Sequence, residues 1–280
     1  MAITLLTDPG RPDPLAWIHR TEARAIAREL RESGRAVRLL PFREDAIDAL
    51  PEAPLLLRIS DPLMLVAVRA LSRAAIPYWG PNALAMERCY DKYEALRSAA
   101  EHEVDAPATG LASQAGDLRH PLVLKPRRGS DSIGLRVLCT GSIPARARTD
   151  RYVVQEFVRG AELTVGTLRG AIGAPLHILL PPGTPYRFWR KYLWRPRRAP
   201  VRDTALAARV RAAARTISGI FGIDWAARID FIHETATDRL RFLECDVAPL
   251  IGPQSAFAAS LAASGMERGE QLRGLLGERD

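Results

Sequence analysis

Arg228-Ile229-Asp230-Phe231 and Glu244-Cys245-Asp246-Val247 lie in two stretches that read as long strands, Ala226–Ile232 and Leu240–Val247. Charged and apolar residues alternate in both. Strand side chains point alternately to opposite faces, so Arg228 and Asp230 share a face, as do Glu244 and Asp246. If the strands are neighbours, three carboxylates converge. Such a group repels strongly unless a cation sits among it. Oxygen-only ligands favour Mg²⁺ or Mn²⁺ over zinc. The same alternation also suits the wetted outer face of an antiparallel sheet, and the pattern alone leaves both readings open.

Upstream of these acids the chain holds three lysines, Lys92, Lys125 and Lys191, against thirty-seven arginines. An ammonium is a compact charge on a thin stem, which a planar guanidinium does not copy. Each lysine has a distinctive setting. Lys92 follows Asp91, and Lys191 precedes Tyr192 in an aromatic, basic loop. Lys125-Pro126 leads into Arg127-Arg128-Gly129-Ser130-Asp131-Ser132-Ile133-Gly134. A strand ending in Lys, then a loop with Gly and Ser, can lay backbone N–H groups and small hydroxyls over phosphates. The three lysines together suggest a polyphosphate site built from distant segments. The plainer alternative is three surface lysines left behind by a drift toward arginine. Neither GxGxxG nor GxxxxGK[ST] occurs.

Residues 1–80 alternate strand and helix signals. Strands are expected at Ile3–Leu6, Ala36–Leu40, Pro54–Ile59 and Ile76–Trp79, with helices from about Leu15 to Ser33 and at Met64–Ala74. That rhythm implies a parallel sheet covered by helices. One helix is expected from Ala83 to Ala100. Beyond it, Pro121–Lys125, Gly134–Leu138, Tyr152–Val158, Leu163–Arg169 and Leu176–Leu180 read as strands joined by loops. Thr204–Gly219 has the spacing of an amphipathic helix, and a final helix begins near Ser255.

The length of 280 residues suits two or three compact units. No apolar run approaches the roughly 20 residues that span a bilayer. Met1–Leu6 lacks the charged region and cleavage site of a signal peptide. Cys89, Cys139 and Cys245 are odd in number and widely spaced, which argues against a disulfide framework and fits a reducing cytoplasm. The net charge of +8 raises nucleic acid as a partner, but the arginines are spread along the chain. The one dense cluster, Arg187, Arg190, Arg195, Arg197, Arg198 and Arg202, would equally serve phosphates or an acidic small substrate.

Taken in order, these pieces resemble the ATP-grasp superfamily, in its D-alanine–D-alanine ligase-like branch, over about residues 76–280. Asp91-Lys92, Leu122-Val123-Leu124-Lys125, Gln155-Glu156-Phe157-Val158, Glu162-Leu163-Thr164, Lys191-Tyr192 and the two acidic strands are each similar to a family segment. The resemblance implies an α/β and α+β fold of ATP-grasp architecture, with a parallel α/β domain at 1–82 and antiparallel-sheet subdomains at 83–157 and 158–280 clasping ATP. It implies that Lys92 and Lys125 bind phosphates beneath a loop carrying Ser130 and Ser132. Gln155, Glu156, Phe157 and Val158 would form the adenine hinge, and Glu162 would bind the ribose. Asp230, Glu244 and Asp246 would hold two Mg²⁺ or Mn²⁺ ions. Arg228 would stabilise an oxyanion, Lys191 and Tyr192 would close over the site, and Ser255 would stand at the acceptor, unless it is only a helix cap.

The activity implied is ATP-dependent joining of a carboxylate to an amine through an acyl phosphate, with release of ADP and phosphate. A nucleotide-binding sensor or scaffold is the alternative. Expected partners are small carboxylate and amine substrates, an acidic, glutamate-like one being hinted at by Arg58 and the arginine cluster, with a homodimer left open. Three departures stand out. Asp246 replaces the family's usual Asn, Leu250 replaces a glycine, and Leu57-Arg58-Ile59-Ser60-Asp61-Pro62 stands where the dipeptide ligases carry a His-Gly segment. D-alanyl-D-alanine synthesis itself is therefore not expected.

Overall fold

Strand β1 (Ile3–Thr7) is buried along its whole length, as befits a strand covered on both faces. It pairs in parallel with β2 (Val37–Pro41) and β3 (Leu55–Arg58), and β4 (Tyr78–Trp79) extends the sheet beyond β3. Alternate residues of these strands enter different cores. Leu5 and Leu56 join Ala23, Ile26, Ala27 and Leu30 of helix α1 (Pro14–Glu32). Leu6, Leu55 and Leu57 join Met64, Ala67, Val68 and Leu71 of helix α2 (Leu63–Arg73). The two helices therefore cover opposite faces of the sheet. The computed structural model describes residues 2–10, 14–51, 54–61, 63–115, 120–129, 133–179 and 197–278.

The expected helix over Ala83–Ala100 is two helices, α3 (Ala83–Tyr90) and α4 (Lys92–Glu101), broken at Asp91, which has φ −93° and ψ 98°. Asp91 leaves the helix because its carboxylate has better partners. It caps α4 through the Glu94 N–H, and it accepts from Arg127 Nε at 2.8 and 2.9 Å and from Arg128 Nε at 3.3 Å. Capping of this kind is typically worth about 1 kcal/mol. Ala85, Met86, Cys89, Ala95, Leu96 and Ala99 face the same core as α2.

A second sheet, antiparallel, is built from β5 (Thr109–Leu111), β6 (Leu122–Pro126), β7 (Arg136–Leu138) and β8 (Tyr152–Glu156) in the order β5-β8-β6-β7. Leu122, Leu124, Ile143 and Val154 give it a small core of its own.

The third sheet is also antiparallel. It contains β9 (Ala161–Leu168), β10 (Ala171–Ile172), β11 (Leu176–Leu179), β12 (Arg197–Pro200), β13 (Ala226–Glu234) and β14 (Arg239–Asp246). The order is β12-β11-β9-β13-β14, with β10 beside β9. Strand β12 falls where only a basic loop was expected, and pairing with β11 makes it a strand. Helix α5 (Thr204–Phe221) lays Leu206, Val210, Ala214, Ile217 and Phe221 into the core under this sheet. It starts at an Asp203 cap and stops at Gly222, whose φ of 63° suits glycine. The last helical segment is also double, α6 (Ala256–Ala263) and α7 (Arg268–Leu275), divided near Gly265 at φ 96°. Between β8 and β9, Gly160 passes so close to the backbone of His233 that a Cβ would overlap it. No helix among the described residues is long and apolar enough to cross a membrane.

Candidate active site

The register of the third sheet decides the acidic face. Asp230 pairs with Glu244, Arg228 with Asp246, and Asp230 on its other side with Thr164. The apolar residues between them, Ile229, Phe231, Phe242, Cys245 and Val165, go into the core, so the carboxylates gather on the opposite face. Arg228 is only 7% exposed and lies among them. Its Nε donates to both oxygens of Asp230 at 3.1 Å, its Nη2 lies 3.7 Å from Glu244, and its Nη1 lies 3.4 Å from Asp246. Burial alone would weaken its charge, but Asp230 and Asp246 outweigh that and hold its pKa well above the ordinary value. Thr164 Oγ1 donates to Asp230 at 2.6 Å.

One acid is left poorly neutralised. Glu162, on the same face of β9, has its pKa pushed up to about 7 by burial first and then by Asp230 and Glu244. Among the described residues no three acidic, His or Cys side chains already stand at ligand spacing around one point. The cation the carboxylates share here is the Arg228 guanidinium. The donor set nevertheless suits a hard cation: the oxygens are all carboxylate, and Glu244 and Asp246 are partly open.

The lysines approach from the other side. Lys92, the first residue of α4, donates through Nζ to the carbonyl of Gly129, and its N–H to the carbonyl of Arg127. Lys125, 7% exposed on β6, donates to Gln155 Oε1 at 3.1 Å. Burial pulls its pKa down to about 8, Glu244 opposes the shift and Lys92 adds to it. Both lysines are therefore felt at one place, beside Glu244. A cleft open to solvent has Lys92 and Gly129 on its wall together with Arg228, Glu244 and Asp246.

With this geometry in view, the family model for the D-ala D-ala ligase C-terminus matches residues 90–276. The chain belongs to this family. A D-alanine–D-alanine ligase of Syntrophotalea carbinolica is 29% identical over 222 residues, 74% of this chain and 71% of that one. One from Aquifex aeolicus is 26% identical over 87% of this chain and 89% of its own. The crystal structure of D-alanine–D-alanine ligase from Bacillus anthracis complexed with ATP superposes with a TM-score of 0.81 at 16% identity, covering 99% of this chain and 96% of that one. The protein is thus an ATP-grasp carboxylate–amine ligase, ATP-dependent and forming a peptide bond, with the parallel domain and antiparallel sheets expected of it.

Within this ligase, the residues singled out in the sequence fall into three groups. Lys92, Arg228, Glu244 and Asp246 line the cleft; Asp230 is bonded to Arg228, and Lys125, with its partner Gln155, and Glu162 are near enough to Glu244 to feel its charge. The hinge residues are placed at the end of β8: the Glu156 N–H is taken by the Ala108 carbonyl and the Phe157 N–H by that of Pro121, while Val158 is buried. Ser255 caps α6, its Oγ accepting from the Ala258 N–H at 3.0 Å. Ser130, Ser132, Lys191 and Tyr192 lie outside the described residues.

Arg58, offered as a hint of an acidic substrate, is fully buried and bonded to Glu22 and to the Pro249 carbonyl. None of its surface is open to solvent in this structure. Two cleft residues carried no sequence signal. Asp61 and Tyr90 line the same wall, and burial, followed by Asp61, pushes the Tyr90 phenol up to about 12. Only a fold that packs α3 against the first domain brings them there.

Proposed function

We propose that the protein activates a small carboxylate with ATP and passes the acyl group to an amine. A carboxylate oxygen attacks the γ-phosphorus and ADP leaves, giving an acyl phosphate. The amine nitrogen attacks the acyl carbon, the C–O bond to phosphate breaks, and an amide forms with loss of a proton and inorganic phosphate. The observation that carries this reading is a buried arginine among three carboxylates, with Lys92 on the wall of the same cleft and buried Lys125 within electrostatic reach of Glu244.

Lys92 and Lys125 act on phosphate oxygens as point charges. Glu162 receives the ribose hydroxyls, and the Val158 N–H is the hinge donor left for adenine. Asp230, Glu244 and Asp246 are the residues that would hold Mg²⁺ or Mn²⁺, two ions in this proposal. The metal supplies neutralisation of the phosphate charge. Arg228, whose fork is shared among these carboxylates, is assigned by resemblance to the oxyanion of the tetrahedral intermediate. Ser255 keeps its hydroxyl proton for an acceptor, since capping uses only the oxygen. Ser130 and Ser132 are assigned to the phosphate cover and Lys191 and Tyr192 to closure by resemblance alone.

The relatives' names make D-alanine the first substrate to test. The arginines at 197, 198 and 202 keep glutamate in the screen. Purified protein is given ATP, Mg²⁺ and pairs drawn from D-alanine, D-serine and both glutamate enantiomers, and ADP, phosphate and dipeptide are measured. Equimolar ADP and amide product, dependent on an added amino acid, is the expected result. ATP consumption that ignores every amino acid would sink the reading.

A further inference from the structure

The turn Pro249-Leu250-Ile251-Gly252 joins Asp246 to Ser255, and its backbone is held almost entirely by side chains from elsewhere. Arg58 Nη2 donates to the Pro249 carbonyl at 3.0 Å. Arg268 Nη1 donates to the Ile251 carbonyl at 2.9 Å. The Gly252 N–H donates to Glu22 Oε1 at 2.7 Å, and Arg198 Nη2 donates to the Gln254 carbonyl at 2.8 Å. The other oxygen of Glu22 accepts from Arg58. One ion pair thus grips both ends of the turn from the first domain. A Cβ on Gly252 would stand 3.2 Å from Glu22 Oε1, a tight approach that the Glu22 side chain would have to ease.

Stability gives little reason for this pair. Arg58 is 0% exposed, and its Nε and Nη1 have no hydrogen-bond partner among the described residues. Apolar side chains of similar size commonly replace such a buried pair at no loss of stability.

We propose that Glu22 and Arg58 are positioning residues for the second step of the ligase reaction. In this proposal they fix the turn that runs from Asp246 to Ser255, the residue assigned by resemblance to the acceptor, with Leu250 where the family carries glycine. The inference rests on the ligase reading above.

The test separates the two steps. Hydroxylamine is small enough to trap an acyl phosphate without an ordered acceptor seat. The probe is D-alanine, or whichever acid supports ADP release in the screen. Hydroxamate and dipeptide are measured for the unaltered protein and for Glu22→Met with Arg58→Met. The double variant should stay folded, with a Tm lowered by the two backbone groups it leaves unpaired, and should keep its KM for ATP. Its kcat/KM for the acceptor amine should fall about tenfold or more, the scale expected for a misplaced reactant, while hydroxamate formation changes less than about twofold. Equal loss of both products overturns this inference and leaves the ligase reading intact. No hydroxamate and no dipeptide from the unaltered protein ends the ligase reading and takes this inference with it. Should the double variant not fold, Glu22→Gln keeps the shape and is judged by the same ratio: a dipeptide loss exceeding the hydroxamate loss supports the proposal, and an equal loss overturns it.

Discussion

Two buried arginines organise two neighbouring regions of this molecule, and they are treated in opposite ways. Arg228 lies among Asp230, Glu244 and Asp246, with ion-pair distances of 3.0, 3.7 and 3.4 Å. Three carboxylates stand around its single positive charge, and Glu162 beside them has its pKa raised by burial and, after that, by Asp230 and Glu244. Arg58 has the reverse problem. It has one carboxylate and one carbonyl, and two of its donors are unused among the described residues. A surplus of acid on an open wall is a place prepared for cations and phosphate. A shortage of acceptors inside a sealed core binds nothing and only holds backbone. Burial of an arginine is therefore no guide to its role; the balance of charge around it is.

The strongest way to break this comparison is to remove the surplus. Asp230→Asn with Glu244→Gln should leave a folded protein by circular dichroism and lower kcat by about a thousandfold, since metal-held charge is worth several kcal/mol in such sites. Undiminished Mg²⁺-dependent turnover in that variant would mean these strands hold no metal.

Next in size, Arg228→Lys keeps the charge and loses the fork. A fall in kcat of about a hundredfold, with little change in the KM for ATP, is expected from the loss of an oxyanion donor. Arg58→Lys should leave hydroxamate formation nearly untouched. If the two lysine variants behave alike, the distinction between the regions fails.

The lysine side of the cleft gives a third expectation. Lys125→Arg should raise the KM for ATP by about tenfold, the scale of one charge-assisted hydrogen bond, because a wider head does not fit between Gln155 and Lys92. In the unaltered protein, ATP affinity should weaken as pH rises above about 8, where buried Lys125 loses its proton. Binding titrations at pH 7 and pH 9 that give one dissociation constant would contradict this.

The smallest effect concerns Glu162. Its pKa is raised in the folded state, so the fold holds that proton more tightly than the unfolded chain does. The resulting stability is present at acid pH and is lost as pH rises through about 7. Glu162→Gln cannot ionise, so it should raise Tm by about 2–4 °C at pH 8 and leave it unchanged at pH 5. Thermal scans showing the same shift at both pH values would rule out this electrostatic account.

Strand alternation is local, so the sequence put Arg228 with Asp230, and Glu244 with Asp246, on one face of each strand; that the two pairs share a face came from the register of β13 and β14. The first sheet was legible in the strand–helix rhythm of residues 1–80. The Asp91 break was not, because helical periodicity runs through it and only Arg127 and Arg128, from another strand's end, pull the carboxylate out. Strand β12 was not, because Arg197-Arg198-Ala199-Pro200 has no apolar alternation and becomes a strand through β11. The split of the last helix had a signal in Ser264-Gly265 that outweighed the apolar run around it. The turn at 249–252 had none at all, since residues 22, 58, 198 and 268 meet there only after three sheets are assembled.

The scarcity of lysine has a practical corollary. Arginine does not react with acylating reagents, and the amine of Lys125, with its depressed pKa, is partly unprotonated and nucleophilic near pH 8. An amine-directed label followed by peptide mass mapping therefore has three side chains to find. Lys92 stands on the cleft wall, so its protection from the label by bound nucleotide is read without any knowledge of the acid or the amine.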